Sequence, residues 1–458
     1  MEKALFAVYN ILLLFLSPFF FIALILFSLA KNKKSEGFFY KLFPFAFKPL
    51  KNSVLKDTAL EEGIWIHAVS LGELRASVNF IELLRNKFDK KIYLSTTTKT
   101  GYNFAKNLYK NSNNRDILIF YFPYDFYFSV KSILRWIKPV LFISVETEIW
   151  PNLFNILKRR NIPIAVINAR ISDKSYKNYL NFNFFFRYVF EKIDLVLCIS
   201  EIYRKKFLSL GIKKENIHIT GNMKFDLDIG LIAEGIEEKS NKLKGIFNCG
   251  KIIAAGSTHE GEENLILNAA IKLSKNFKKD KIFLFIAPRH PERFNEVYNF
   301  LEKSEKIKIY KLSSVYSPDF NLDISKSEES ETTVILVDII GELLTVYNIC
   351  SVAFVGGSMV NAGGHNLLEP LIFGKPVIFG RYIQNFSEIA EKITEIRAGR
   401  LVNSPQGLYD ALTEYLYNEK ALEAASKSGL MLISQNKGSS LQNLNFLTRY
   451  LDAGNAYT

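Results

Sequence analysis

A long apolar run opens the chain. From Ala4 to Ala30 no side chain is charged, and a helix of this length exceeds the ~20 residues that cross a bilayer core. The apolar region of a cleaved signal peptide is shorter, about 7–15 residues. Lys31, Lys33 and Lys34 follow the run, whereas Lys3 precedes it. The positive-inside rule therefore predicts a single-pass signal anchor at 4–30 with the rest of the chain in the cytoplasm.

Two aromatic and basic stretches follow. Residues 31–62 form a predicted juxtamembrane segment, in which Phe38–Lys48 alternates aromatic rings with lysines. Aromatic rings favour the headgroup region and lysine is attracted to anionic lipid, but a loop packed against a core is the alternative. For Asn178–Phe190, which contains seven aromatic residues, core burial and lipid contact are equally compatible with the spacing.

Beyond residue 63, short β-branched runs alternate with amphipathic stretches, which predicts parallel sheets covered by helices. The predicted strands of the first half are Ile64–Val69, Lys91–Ser95, Ile117–Phe122, Val140–Val145, Ile164–Ile167 and Leu195–Ile199. Those of the second half are Ile252–Ala255, Ile282–Ala287, Thr333–Val337, Ala353–Val355 and Val377–Phe379.

The fold class predicted from this pattern is α/β. It has a Rossmann-like domain at 63–225, a polar linker at 226–250 and a second Rossmann-like domain at 251–430. A helical segment at 431–458 can pack back on the first domain. Two such domains usually bind ligands at the carboxyl ends of their strands, in the cleft between them.

Composition narrows the class of protein. The 458 residues are 48% hydrophobic and 23% charged, which is typical of folded chains and excludes a disordered one. Cys198, Cys249 and Cys350 lie far apart, which argues against a disulfide scaffold or a thiolate zinc site. The net charge is +13, yet no Lys/Arg-rich helix or zinc knuckle indicates nucleic acid. An anionic membrane or anionic substrates fit this charge better.

Several common catalytic motifs are missing. The five histidines include no HxH or HxxxH pair, and there is no DxD motif, no GxSxG elbow and no phosphate-binding P-loop. We therefore predict a reaction without a metal ion or other cofactor.

The first candidate site follows the first predicted strand. Ser70, Gly72 and Glu73 lie between this strand and a helix, and Gly72 would allow a tight turn. Glu73 could accept a proton from an attacking hydroxyl, or it could stabilise the helix dipole as a first-turn glutamate. Position alone leaves both readings open.

A second pair of carboxylates follows a later strand. Glu146 and Glu148 stand beside Trp150, where they could bind a polyol or orient a base, or simply cap a helix. Arg170 and Lys224 follow other strands of this domain. They offer the positive charge that an anionic acceptor needs, although most such residues are only solvated.

The second domain carries candidate anion sites. Ser257 and Thr258 follow a strand and open a helix, which is a generic anion site. Pro288 and Arg289 follow the next strand, and the guanidinium suits a phosphate oxygen. Two glycine pairs then lie seven residues apart within 356–364, which lets a backbone approach a ligand. The candidate phosphate-binding residues there are Gly356, Gly357, Ser358, Asn366 and Glu369.

These segments together resemble one family. In order they read HAVSLGE, PYD, ETEIWPN, NARIS, GNMKFD, GSTHEGEE, PRHPERF and GGSMVNAGGHNLLEP. The string is similar to 3-deoxy-D-manno-octulosonic acid (Kdo) transferases, the glycosyltransferases of the lipopolysaccharide inner core. The resemblance implies a GT-B fold, CMP-Kdo as donor, the lipid A precursor lipid IVA as acceptor, and inverting transfer without a metal. It also implies a Gram-negative inner membrane location.

The resemblance also implies residue roles. Glu73 would be the general base, while Ser70, Gly72, Glu146, Glu148, Arg170 and Lys224 would contact the acceptor or Kdo. Arg289 would meet the CMP phosphate or the sugar carboxylate, Ser358 would hold phosphate, and Asn366 and Glu369 would reach phosphate and ribose. The remaining CMP-binding positions would be Ser257, Thr258, Pro288, Gly356 and Gly357.

Two positions depart from the family pattern, and two other functions stay open. Leu71 stands where the family usually has valine, and Arg381 stands where it commonly has proline. Leucine in place of valine is a conservative change, and Arg381 in place of proline affects one loop. The alternatives are another GT-B membrane enzyme, such as a CDP-polyol-phosphate transferase, and a non-catalytic nucleotide-binding membrane scaffold. The number of Kdo units and the oligomeric state are not determined by the sequence.

Overall fold

The computed structural model describes residues 2–30, 41–42, 61–110, 117–226, 235–248, 250–304, 307–317, 320 and 332–452. Most of the predicted juxtamembrane segment 31–62, and Cys249, lie outside the described residues. Within that segment Leu42 is buried, and its carbonyl accepts a hydrogen bond from Ser129 Oγ at 2.5 Å. At this residue the stretch packs against protein.

Helix α1 spans Glu2–Ala30. Among the described residues it is the one helix long and apolar enough, by length and composition, to cross a membrane. It contains Pro18, which has no N–H and leaves the carbonyl of Leu14 without its helical partner. Ser17 Oγ donates a 2.8 Å hydrogen bond to that carbonyl, so the helix continues past the proline with the freed oxygen satisfied.

The first half of α1 packs against the domain that follows it. Phe6 is buried in the core of this domain, and Asn10 exchanges two 2.9 Å hydrogen bonds with Asn152. Tyr9 Oη donates to Asp125 at 3.1 Å, and Glu2 forms an ion pair with Lys192. Part of the predicted span at 4–30 therefore contacts protein.

The first sheet has seven parallel strands in the order β3-β2-β1-β4-β5-β6-β7. The strands are β1 Glu62–His67, β2 Lys91–Thr96, β3 Ile117–Tyr121, β4 Lys138–Val145, β5 Ile164–Ala169, β6 Leu195–Cys198 and β7 Ile217–Ile219. The helices between them are α2 Leu71–Lys87, α3 Lys99–Leu108, α4 Tyr127–Ile133, α5 Pro151–Arg159, α6 Asp173–Asn181, α7 Asn183–Phe190 and α8 Glu201–Ser209. This is the doubly wound order that brings the carboxyl ends of β1 and β4 together.

The second sheet also has seven parallel strands, in the order β10-β11-β9-β8-β12-β13-β14. They are β8 Gly250–Thr258, β9 Lys281–Pro288, β10 Ile307–Lys311, β11 Thr332–Leu336, β12 Val352–Val355, β13 Val377–Phe379 and β14 Gly399–Leu401. The accompanying helices are α9 Ile236–Ile246, α10 Glu262–Asn276, α11 Phe294–Glu302, α12 Leu312–Val315, α13 Leu343–Ile349, α14 Leu368–Ile372, α15 Ser387–Glu395, α16 Pro405–Tyr417 and α17 Glu419–Asn436. Two Rossmann-like units confirm the predicted fold class.

The chain forms two compact units, one of Met1–Leu227 with Gly438–Thr458 and one of Asp228–Lys437. The last helix, α18 Ser439–Asp452, belongs to the first unit. Its start is fixed by Asp226, whose carboxylate accepts a 2.6 Å hydrogen bond from the Gly438 N–H. Two details differ from expectation. The predicted linker at 226–250 contains helix α9 of the second unit, and α17 runs through the boundary expected at 430.

Candidate functional site

Glu73 closes the first turn of α2. Ser70 caps this helix, and its hydroxyl accepts a hydrogen bond from the Glu73 N–H at 3.3 Å. In return the Glu73 carboxylate accepts hydrogen bonds from the Val69 N–H at 2.7 Å and from Ser70 Oγ at 3.0 Å. This reciprocal arrangement is a capping box. A Cβ at Gly72 would meet only Ser70 Oγ at 3.8 Å, and the residue has no left-handed backbone, so the short connection from β1 to α2 does not require a glycine at this position.

The same carboxyl group has a strongly shifted proton affinity. Burial raises the pKa of Glu73 to about 8, the negative charge of Glu146 adds to this, and that of Glu148 makes a smaller contribution. The hydrogen bonds from Val69 and Ser70 act in the opposite direction. A carboxyl with a pKa near neutrality can take up and release a proton at the pH of a cell, which general base catalysis requires.

Glu146 and Glu148 lie just after β4, in the loop that leads to α5. Glu146 has a left-handed backbone, with φ of 61°, and its carboxylate meets Arg170 Nη2 at 2.8 Å. Lys224 Nζ lies 3.9 Å from the other carboxylate oxygen. Burial, followed by the charge of Glu146, raises the pKa of Glu148 to about 7. The structure therefore brings three predicted carboxylates and two predicted cations into one electrostatically coupled cluster.

Two polar rings border this cluster, one fully buried and one partly buried, and the site prediction did not include them. His67, at the end of β1, is fully buried with its ring stacked on Phe122 at 3.7 Å, and burial lowers its pKa to about 3. It is therefore neutral. His67 Nε2 and Trp150 Nε1 have no hydrogen-bond partner among the described residues. The only sequence signal was their place directly beside the SLGE and ETE segments.

In the second unit, the turn after β12 is occupied by a carboxylate of the protein itself. Glu262, at the start of α10, is fully buried. It accepts hydrogen bonds from the N–H groups of Gly357, Ser358 and Met359 at 2.7, 3.0 and 2.8 Å, and from that of His259 at 3.0 Å. The predicted phosphate at the amides after Gly357 is thus contradicted, because Glu262 already holds them.

The Ser358 hydroxyl is also committed to the fold. It donates to the Val355 carbonyl at 2.5 Å and accepts from the Gly380 N–H at 2.9 Å, and the residue is fully buried. Its predicted role as a phosphate ligand is therefore wrong. Position 356 must be glycine for the backbone to pack here, because a Cβ would lie 2.5 Å from the Ser257 carbonyl oxygen.

Ser257 and Thr258 are the last two residues of β8, so they do not follow the strand as predicted, and their side chains have different surroundings. Ser257 has a left-handed backbone, with φ of 55°, and is half-buried. Thr258 is fully buried, and its hydroxyl donates to Glu263 at 3.0 Å, so this hydroxyl supports the fold. Arg289 follows Pro288, the last residue of β9, and its N–H donates to the Thr258 carbonyl at 3.0 Å. These two strand ends are therefore adjacent.

The glycine-rich segment before α14 lies beside a pair of histidines. His259 Nε2 and His365 Nε2 are 2.9 Å apart, with the rings nearly parallel. Gly357, with φ of 67°, must be glycine because a Cβ there would lie 2.9 Å from His365. Asn366 accepts the Leu368 N–H at 3.1 Å and donates to Glu369 at 3.3 Å. Among the described residues, no group of three or more His, Cys, Asp or Glu side chains is placed to hold a metal ion.

Comparisons with known proteins identify the relatives of this chain. Residues 41–227 match the family model described as 3-Deoxy-D-manno-octulosonic-acid transferase (kdotransferase). The chain is 35% identical over 394 residues to a 3-deoxy-D-manno-octulosonic acid transferase of Haemophilus influenzae, covering 85% of this chain and 88% of that one. It is 36% identical over 401 residues to a bifunctional glycosyltransferase/methyltransferase of Fusobacterium nucleatum, and this match spans 87% of the chain but only 58% of that longer protein.

Solved structures show the fold. The UDP-GlcNAc 2-epimerase of Neisseria meningitidis, bound to UDP-GlcNAc, superposes with a TM-score of 0.56 at 14% identity, covering 85% of this chain and all of that one. A Staphylococcus aureus MnaA–UDP structure gives a TM-score of 0.52 at 13% identity over 86% of this chain. These likenesses confirm the predicted GT-B class and, at such low identity, carry nothing about substrates.

Proposed function

This chain belongs to the 3-deoxy-D-manno-octulosonic acid transferase family, and we propose that it transfers Kdo from CMP-Kdo to lipid IVA during lipopolysaccharide biosynthesis. The observation that carries the proposal is the carboxylate cluster of Glu73, Glu146 and Glu148 at the carboxyl ends of β1 and β4. A buried carboxyl with a pKa of about 8 supplies the proton acceptor that the reaction needs.

In the proposed reaction, Glu73 takes the proton of an acceptor hydroxyl. The oxygen then forms a bond to C2 of Kdo while the bond from C2 to the CMP phosphate oxygen breaks, and CMP leaves with that electron pair. Attack from the face opposite CMP inverts the configuration. The hydrogen bonds from Val69 and Ser70 hold the carboxylate in place, which keeps its oxygens oriented toward the acceptor.

The charges around Glu73 suit a phosphorylated acceptor and an acidic sugar. Arg170 and Lys224 flank Glu146, and we assign these residues, with Ser70 and Glu148, to the acceptor or to Kdo. Because two cations stand beside one buried carboxylate, an incoming anion meets a partly neutralised surface. We propose no structural requirement for Gly72.

We assign CMP binding to the second unit. Arg289 would contact the phosphate or the Kdo carboxylate, and Ser257, Asn366 and Glu369 would contact phosphate and ribose. Pro288, Gly356, Gly357 and Thr258 shape the strand ends that carry these groups, whereas Ser358 and its neighbouring amides are held by the protein itself. No metal ion or other cofactor takes part in the proposed reaction.

We further propose that α1 attaches the enzyme to the cytoplasmic face of the inner membrane. Glu2, Tyr9 and Asn10 contact the first unit, and the rest of the helix, residues 11–30, is about 30 Å long. This length matches the ~30 Å hydrocarbon core. Beyond these contacts α1 is therefore long enough for the single crossing that its sequence predicts.

A transfer assay tests the proposed function. The full-length protein in detergent is incubated with freshly generated CMP-Kdo and lipid IVA in the presence of EDTA, and the lipid is examined by mass spectrometry. A mass gain of one or more Kdo units is the expected result, and it also counts the additions. No gain in a protein that still binds CMP would contradict the assignment and favour a different donor, such as a CDP-polyol.

A further inference from the structure

An apolar groove runs along α1 where this helix meets the first unit. One wall consists of Leu13, Leu16 and Ser17 of α1, and the other of Tyr124, Phe126 and Trp150. The groove encloses about 270 Å³. From Tyr9 to Ser17 it follows α1 for about 12 Å, at the rise of an α-helix.

The polar groups at the Tyr9 end of the α1 groove are already paired. Asp125 accepts hydrogen bonds from Tyr9 Oη at 3.1 Å and from the N–H groups of Asn152 and Leu153, both at 2.9 Å. The carboxylate therefore has its own donors, and the surface left for a ligand is almost entirely hydrocarbon. Apart from Trp150 Nε1, which is itself buried, a polar ligand would find few partners there, so the groove suits an apolar chain.

Trp150 connects the α1 groove to the carboxylate cluster. Its ring lies 4.8 Å from that of Phe122, which stacks on His67 at the end of β1. Along the chain, Trp150 is two residues from Glu148, whose charge acts on Glu73. A molecule with its polar part at the cluster can thus reach the groove with an apolar part.

We propose that the α1 groove binds one acyl chain of the lipid acceptor. The occupant follows from three points: the groove is apolar, it runs along the helix that we propose attaches the protein to the membrane, and it is lined by Trp150, two residues from Glu148 of the proposed acceptor site. Leu12 and Phe15 on the other faces of α1 are 53% and 69% exposed and provide the lipid-facing surface. This inference rests on the proposed function, because it takes the acceptor to be an acylated sugar.

Filling the groove is the first test. Leu13→Trp places an indole in the groove, and Leu12→Trp adds the same side chain to an exposed face as the matched control. With lipid IVA, Leu13→Trp is expected to raise the acceptor KM about tenfold, the scale of losing alkyl contacts in a binding pocket. The KM for CMP-Kdo, turnover of a fully deacylated acceptor sugar, and every parameter of Leu12→Trp are expected to stay within about twofold of wild type.

Two kinetic results would overturn the inference. One is an unchanged KM for lipid IVA in Leu13→Trp. The other is an equal loss with lipid IVA and with the deacylated sugar, which would show damage to the site rather than to acyl binding. A wild-type protein that transfers Kdo to neither acceptor would instead contradict the proposed function.

Photocrosslinking tests the occupant independently of turnover. A benzophenone amino acid replaces Leu13, or Leu12 in the control, and the protein is irradiated in phospholipid vesicles that contain lipid IVA as a minor component. The proposal predicts lipid IVA adducts at position 13 well above its share of the lipid and no such enrichment at position 12. Phospholipid adducts alone at position 13 would overturn it in favour of a general membrane lipid.

Discussion

The backbone N–H of Val69 donates a 2.7 Å hydrogen bond to the carboxylate of Glu73, so the proposed base also closes the first turn of its own helix. The two roles can be separated. A glutamine has the same shape and can accept from Val69 and donate to Ser70, but it cannot take a proton from a hydroxyl. Glu73→Gln therefore keeps the capping box while it removes the base.

The raised pKa of Glu73 predicts how stability depends on pH. Its pKa is 4.5 in the reference state and about 8 in the folded protein, so the folded state binds more protons between these values. The stability from this group is fully present below about pH 4.5 and is lost as the pH rises through 8. In Glu73→Gln this loss disappears.

The melting temperature of Glu73→Gln minus that of wild type should therefore be larger at pH 9 than at pH 6, by roughly 2 °C or more. Thermal unfolding of both proteins in the same detergent measures the difference, and all other groups cancel to first order. A difference that stays constant over this range would show that Glu73 does not titrate there.

A second prediction concerns the acidic limb of the pH–rate profile. The negative charge of Glu146 helps to raise the pKa of Glu73. Glu146→Gln removes this charge and should move the acidic limb of kcat/KM to lower pH, by roughly one unit. Glu191→Gln, at a half-exposed carboxylate on α7's C-terminal side, serves as the control and should leave the profile unchanged. An unshifted limb in Glu146→Gln would contradict the coupling of the cluster.

A third prediction concerns Glu262. Its two carboxylate oxygens accept four backbone N–H groups, but a glutamine has only one acceptor oxygen and turns an NH₂ toward the remaining donors. Glu262→Gln should lower the free energy of unfolding of the second unit by about 2–4 kcal/mol and weaken CMP binding. Denaturation and CMP titration measure both effects. Glu260→Gln, at an exposed neighbouring residue, is the control. Equal stability and equal CMP affinity of the two variants would exclude this role of Glu262.

A fourth prediction concerns Asp125, which caps α5 from a distant loop and also binds Tyr9 of α1. Asp125→Ala leaves the first amides of α5 unpaired and should cost about 2 kcal/mol of stability. Tyr9→Phe removes only the bond to α1 and should cost about 1 kcal/mol. Chemical denaturation compares them, with exposed Asp89→Ala as the control. A larger loss for Tyr9→Phe than for Asp125→Ala would contradict this division.

Much of the fold follows from the sequence, because buried parallel strands are continuous apolar runs. The missed strands, Ile217–Ile219, Ile307–Lys311 and Gly399–Leu401, are all short edge strands, and two of them contain charged residues. The residues of the cluster around Glu146 follow from the sequence, because each of them stands after a strand end. The ion pairs within the cluster do not follow from the sequence, because Arg170 and Lys224 reach Glu146 through tertiary structure.

The second unit shows the limit of motif reasoning. Two glycines and a serine after a strand indicate a phosphate site. In the structure the N–H groups of Gly357 and Ser358 donate instead to the carboxylate of Glu262, which lies at the start of α10. A local pattern cannot show which of two anions, a ligand or a side chain, occupies a set of N–H groups. In α1, likewise, Tyr9 and Asn10 belong to an apolar run in the sequence, yet they pair with Asp125 and Asn152 in the structure.

Transfer of Kdo by Glu73→Gln tests the central claim most directly. Wild type and variant are compared with CMP-Kdo and lipid IVA, with product counted by mass spectrometry and CMP affinity measured in parallel. The account predicts unchanged CMP affinity and a rate of transfer lower by roughly 10²–10⁴-fold, the usual contribution of a general base. Transfer by Glu73→Gln at the wild-type rate would contradict it and leave Glu73 as a helix cap alone.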